Sequence, residues 1–128
     1  MSEHTNVVSQ ALNVFGKPME ICCLEPITGF YRDGFCHFGE NDYGVHGVCA
    51  VMTEAFLAYT KEQGNDLSTP RPEYGFVGLK PGDAWCLCAS RWVEAYKDAK
   101  APKLKLQSCH SVLLDSVPLT ILKTFADE

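Results

Sequence analysis

The chain has 128 residues, of which 46% are hydrophobic and 21% charged, the balance of a folded globular protein rather than of a disordered, fibrous or membrane-embedded one. Lys and Arg number 11 against 16 Asp and Glu, so the formal net charge is −5 and long nucleic acid is not an expected partner. Seven cysteines are too few for a disulfide scaffold, and an odd number cannot all pair within one chain.

The opening Met1-Ser2-Glu3-His4-Thr5-Asn6 is polar, and the longest clean apolar run, Val48 to Met52, is too short to span a bilayer. The expectation is a cytoplasmic protein with no membrane partner, whose cysteines are free, metal-bound or redox-active rather than stapled. Residues 1–5 read as a disordered tail and 6–128 as a single domain, because no repeat, linker or low-complexity block divides the chain.

The first half is rich in glycine, which favours short strands and tight loops. Gly29 to Phe38 predicts a hairpin, with Asp33-Gly34 as its type I′ turn, Tyr31 opposite Cys36 and Arg32 opposite Phe35. Val48 to Met52 predicts a buried strand. Thr53 then caps a helix through Glu62 or Gln63, and Gly64 ends it in the left-handed conformation. Asn65 to Gly82 carries Pro70, Pro72 and Pro81 and predicts a long irregular loop, a place where function concentrates.

Trp85, Cys88, Ala89, Trp92, Ala95 and Tyr96 recur at helical spacing, so a helix is predicted from an N-cap at Asp83 to about Asp98. Lys103 to Gln107 alternates strictly, as an edge strand does. A short helix with Pro118 in its first turn closes the chain. Strands and helices mix without regular alternation, which points to an α+β fold: one compact domain with a small, mostly antiparallel sheet, a central helix and shorter helices.

The cysteines and histidines carry the candidate chemistry. His46-x-x-Cys49 has an acceptable metal-ligand spacing beside Gly44 and Gly47, and with Cys86 and Cys88 it forms the candidate metal set. Zinc or iron suits such donors, although ordinary buried thiols and no metal are the favoured expectation. On a helix, residues two apart point about 200° apart, which separates Cys86 from Cys88 and puts Cys88 on the buried stripe beside Trp85 and Trp92. Cys49 or Cys86 with His46 or His110 as base is the candidate nucleophilic pair. No C-x-x-C, G-x-G-x-x-G, phosphate-binding G-K-[ST], H-E-x-x-H or G-x-S-x-G motif occurs.

A polar set of Arg32, Asp33, Asp42, Asp66, Arg71, Glu73, Arg91 and Glu94 lies in turns or beside aromatic residues. Arg32, Asp66, Arg91 and Trp92 are the candidate ligand-binding residues. For Arg91 a structural ion pair with Asp66 or Asp83 is the favoured alternative. Lys97, Lys100, Lys103 and Lys105 read as a solvated edge.

Thr28-Gly29-Phe30-Tyr31-Arg32-Asp33-Gly34, His46-Gly47-Val48-Cys49-Ala50, Gly64-Asn65-Asp66-Leu67-Ser68-Thr69-Pro70 and the run from Leu79 to Trp92 together resemble the bacterial family called domain of unknown function 2237. The resemblance extends from about Asn13 to Phe125, implies a single domain and brings no activity. Its matching positions include Cys22, Cys36, His46, Cys49, Asp66, Cys86, Cys88, Arg91, Trp92 and His110. Cys23 and Cys109 stand where the family more often has a small hydroxylated residue, and Phe35 where many members have cysteine.

The leading expectation is therefore a small-molecule-binding domain. Its site is built from the loop at His46, the proline-rich loop and the Cys86 to Trp92 segment. A cysteine enzyme or metal-dependent redox protein is the rival, and a structural interaction module the third reading. Oligomeric state is not legible.

Overall fold

β1 (Val48–Val51) forms where the apolar run predicts it and pairs antiparallel with β2 (Ala84–Leu87), Val48 opposite Leu87 and Cys49 opposite Cys86. All of β2 and all of β1 but Val51 are buried, which is why neither shows the alternation of a half-exposed strand. The computed structural model describes residues 11–39, 42 and 45–127; the tail expected over 1–5 lies outside them.

Thr53 caps α1 (Glu54–Glu62), its hydroxyl accepting from the Phe56 amide at 3.0 Å, and Gly64 leaves the helix at φ 97°. The proline-rich loop follows as expected, with one 3₁₀ turn at Pro72–Tyr74. α2 (Ala89–Lys97) starts only after β2, and α3 (Leu119–Lys123) closes the fold. The result is α+β: among the described residues, a two-stranded antiparallel sheet with three helices.

One hydrophobic core gathers both strands with Phe56, Trp92, Leu104, Leu113 and Leu122. Trp92 is wholly buried, and its indole donates to the Pro102 carbonyl at 3.0 Å. Tyr96 stacks on it and Phe125 meets it edge-on. Among the described residues, no helix is long and apolar enough to cross a membrane.

Three sequence expectations are corrected. The predicted helix from Asp83 is a strand and then a helix. Asp83 spends its carboxylate on the Lys80 amide, and its carbonyl accepts from the Met52 amide, so pairing with β1 outcompetes the helical pattern. The predicted hairpin over Gly29–Phe38 forms no strand. Positive φ falls at Gly29, Arg32 and Gly34, not at the adjacent Asp33-Gly34 pair a type I′ turn requires, and the Asp33 carboxylate accepts from the Phe35 amide instead.

Lys103 to Gln107 keeps its alternation, burying Leu104 and Leu106 and exposing Lys103 and Gln107, but forms isolated bridges rather than a strand. Leu104 bridges Ala50 on the free edge of β1, and a 3₁₀ turn at Leu106–Ser108 ends the pairing.

Candidate active site

The antiparallel register creates the site. Because Val48 pairs with Leu87, the residues just before β1 and just after β2 lie at the same end of the ladder. His46 occupies one position and Cys88 the other. The Ala89 amide donates to the Val45 carbonyl at 3.2 Å and ties the two ends together. Val45 itself has φ 50°, an unusual conformation for a β-branched residue, immediately before the histidine.

The Cys88 sulfur lies 3.2 Å from His46 Nε2, and Asp42 Oδ1 lies 2.7 Å from His46 Nδ1. Asp42 also accepts from the His46 backbone amide through Oδ2 at 2.9 Å, so one buried carboxylate fixes both the main chain and the ring. With Nδ1–H donating to Asp42, Nε2 is the nitrogen that exchanges a proton with Cys88. The hydrogen bond to Cys88 is the largest influence on the ring. Burial opposes it and Asp42 reinforces it, and the net effect raises the pKa from 6.5 to about 9. The imidazole is 35% exposed, so the group is reachable from solvent.

Cys88 is the N-cap residue of α2, at the positive end of a 9-residue helix, where negative charge is favoured. A cysteine, a histidine and an aspartate in line are the parts of a nucleophilic triad.

Beside His46 opens a cleft of about 260 Å³, lined also by Arg32, Leu67, Arg71, Tyr74, Phe76, Trp85 and Cys86. No carboxylate is among these described lining residues. Arg32 is held in place, donating to the Gly29 carbonyl at 2.7 Å with its guanidinium 5.3 Å from the Trp85 ring centroid. A larger cavity of about 700 Å³ includes Val45 and Ala89, the sequence neighbours of His46 and Cys88, but none of the three triad residues lines it.

The other sequence candidates are placed differently. Cys49 is disulfide-bonded to Cys22, and Cys86 to Cys36, so neither is a free nucleophile here and the expectation of unstapled cysteines is corrected. The set His46, Cys49, Cys86 and Cys88 is accordingly split: His46 meets Cys88 while the other two are bonded elsewhere. The described donors close enough to share a metal are Cys22, Cys36 and Cys49.

His110 does not join the triad; its Nδ1 accepts from the Val112 amide at 3.0 Å, capping a 3₁₀ turn, and burial lowers its pKa. Asp66 holds its own loop, accepting from Ser68 and Thr69 amides and the Thr69 hydroxyl. Arg91 pairs with Glu94 and the Gln63 carbonyl rather than with Asp66 or Asp83, and Trp92 is core.

Sequence reasoning placed Cys88 on the buried stripe and in the candidate metal set with His46, not as a nucleophile, and gave Asp42 no special role. The signal available for the second was the four-residue spacing from Asp42 to His46.

The fold and site thus define a small α+β domain with a Cys–His–Asp constellation at one end of its sheet. Residues 12–126 match the family model described as an uncharacterized protein conserved in bacteria, DUF2237, and the chain belongs to that family. No curated protein matches it.

Proposed function

We propose that the protein is a cysteine-dependent enzyme in which Cys88 is the nucleophile, His46 its acid–base partner and Asp42 the group that orients the imidazole. The observation that carries this is the continuous Cys88–His46–Asp42 contact chain, at 3.2 and 2.7 Å. The raised His46 pKa supports a ring that holds a proton beside the Cys88 sulfur before substrate arrives.

The chemistry that suits these parts is transfer or hydrolysis of a small acyl group. The Cys88 thiolate attacks the carbonyl carbon of R–CO–X, and His46 Nε2–H gives its proton to X, which leaves as H–X. Water then attacks the thioester while neutral His46 takes its proton, releasing R–COOH and restoring the ion pair. The net reaction is R–CO–X plus water to R–COOH plus H–X.

Arg32 and Arg71, with no carboxylate among the described cleft residues, favour an anionic substrate of modest size. A small molecule, rather than nucleic acid or a membrane, is the proposed partner. The cytoplasm is the proposed location, a reducing compartment that keeps an activated thiol free and that also favours opening of the Cys22–Cys49 and Cys36–Cys86 disulfides. The same cleft also favours a second reading, binding of a small anion without turnover.

The test is alkylation of the folded protein with limiting iodoacetamide at neutral pH, with modified sites located by mass spectrometry, beside hydrolysis assays on small anionic thioesters and esters. Cys88 is expected to react well ahead of Cys23 and Cys109, and Cys88→Ser to abolish turnover. If Cys88 reacts no faster than Cys23, the nucleophile assignment fails. Fast alkylation with anion binding but no turnover of any ester or thioester selects the second reading.

A further inference from the structure

We propose that Cys22, Cys36, Cys49 and Cys86, once a thiol reductant opens their two disulfides, form a tetrathiolate site for one Zn²⁺ ion. The sulfurs of Cys22, Cys36 and Cys49 all lie within 4.8 Å of one another, and the fourth sulfur, that of Cys86, is bonded to Cys36. Two structural disulfides need no such convergence. Here three cysteines from three separate segments bring their sulfurs together, and a fourth, Cys86, is bonded to one of them.

The sheet explains why. Cys49 stands opposite Cys86, but the Cys49 amide meets the Cys109 sulfur and its carbonyl accepts from Lys105, while the Cys86 amide donates to the Thr28 hydroxyl. Their backbone groups therefore turn away from each other, which defines a non-hydrogen-bonded pair whose side chains stand close on one face. Each strand cysteine bonds to a loop cysteine rather than to its neighbour, so both loop sulfurs are drawn to that face.

Zinc with Zn–S distances of about 2.3 Å needs sulfurs about 3.8 Å apart at the corners of a tetrahedron. Cys22, Cys36 and Cys49 already lie within 4.8 Å of one another, and Cys86, opposite Cys49 in the ladder and bonded to Cys36, is the donor that must turn toward them. The four residues are 2%, 0%, 0% and 1% exposed in the order Cys22, Cys36, Cys49, Cys86, the closed environment of a structural metal rather than a catalytic one. Lys105, whose ammonium donates to the Cys22 carbonyl at 3.2 Å, supplies positive charge beside a centre that would carry two negative ones.

The chemistry balances with a dithiol as reductant. Two dithiol molecules become two disulfides and deliver four electrons and four protons to the two protein disulfides, giving four thiols. Zn²⁺ then displaces the four thiol protons. Two molecules of a small disulfide reverse the sequence: each takes two electrons and two protons to become thiols, both protein disulfides close and the ion is released. None of the four is a member of the Cys88–His46–Asp42 chain, although Cys86 also lines the cleft beside His46, so the proposal does not rest on the enzymatic reading.

The test uses the full chain in two states, oxidised and fully reduced with a phosphine, each incubated anaerobically with Zn²⁺, desalted and analysed by elemental and native mass spectrometry. The expected result is one zinc per reduced chain and none per oxidised chain. Co²⁺ in place of zinc is expected to give the intense near-ultraviolet thiolate band of tetrahedral sulfur coordination. Cys22→Ser and Cys36→Ser should each weaken binding by more than about tenfold, the loss that even outer partners of a metal ligand commonly produce, while Cys88→Ser leaves it unchanged.

Equal uptake by the oxidised chain, no uptake by the reduced chain, undiminished binding in both variants, or loss in Cys88→Ser would each overturn the proposal. Where reduction alone unfolds the chain, zinc must restore the far-ultraviolet circular dichroism, and failure to do so is equally decisive against it.

Discussion

Cys88 Sγ stands 3.2 Å from His46 Nε2 although the two lie 42 positions apart in the chain. The contact exists because β1 and β2 run antiparallel and end together, and it gives the imidazole its unusual basicity.

That basicity has a definite pH signature. Below about pH 6.5 the ring is protonated in folded and unfolded chains alike; from there to about 9 only the folded chain keeps the proton. A raised histidine pKa therefore stabilises the fold fully below 6.5, and the contribution disappears as pH climbs through about 9. The His46 ring resonance is expected to titrate near 9 by NMR, and to fall by at least about one unit in Cys88→Ser, which removes the largest cause. An unchanged titration in that variant would mean that Cys88 does not contact the ring in solution.

Asp42→Asn should leave the fold in place while impairing the thiol. The amide is nearly isosteric, but it removes the negative charge and can present a donor where Nδ1–H needs an acceptor. Alkylation of Cys88 is expected to slow by about tenfold or more, as loss of the orienting carboxylate does in other triads, and the His46 pKa to fall. Equal alkylation rates in Asp42→Asn and wild type, at matched urea midpoints, would assign the carboxylate a purely structural role.

Trp92 is a test of the core rather than of the site. Its replacement by Phe removes the donor to the Pro102 carbonyl and opens a small void, at a cost of about 1–3 kcal/mol. Replacement by Ala should cost about 3–5 kcal/mol. Urea denaturation measures both, and a loss below about 1 kcal/mol for the Ala variant would contradict full burial.

Gly29 and Thr53 probe local backbone requirements. Gly29 has φ 103°, and a Cβ there would meet the Phe35 carbonyl oxygen at 2.5 Å, so Gly29→Ala must displace the loop that carries Arg32 and Cys36. It should destabilise more than Thr53→Ala, which removes one helix cap worth about 1 kcal/mol. The reverse order of thermal midpoints would show that the loop conformation is not as described.

Much of this fold was legible locally. The apolar run from Val48, the Thr53 cap, the Gly64 exit and the proline-rich loop all follow from short-range preferences that the surroundings did not overrule. The segment from Ala84 was misread because a strand buried on both faces shows continuous hydrophobicity, and here that run continues without a break into the apolar face of α2.

By itself the sequence determined the α+β class and the family, and it offered His46 as a candidate. It could not determine which of the cysteines His46 would meet, nor which cysteines would bond to each other. Those choices rest on strand register: pairing Val48 with Leu87 brings Cys88 to His46 and turns Cys49 and Cys86 to a common face, where the loop cysteines reach them. Register is a property of two strands, one ending at Val51 and the other starting at Ala84, closed by the packing of the whole core, and no local pattern encodes it.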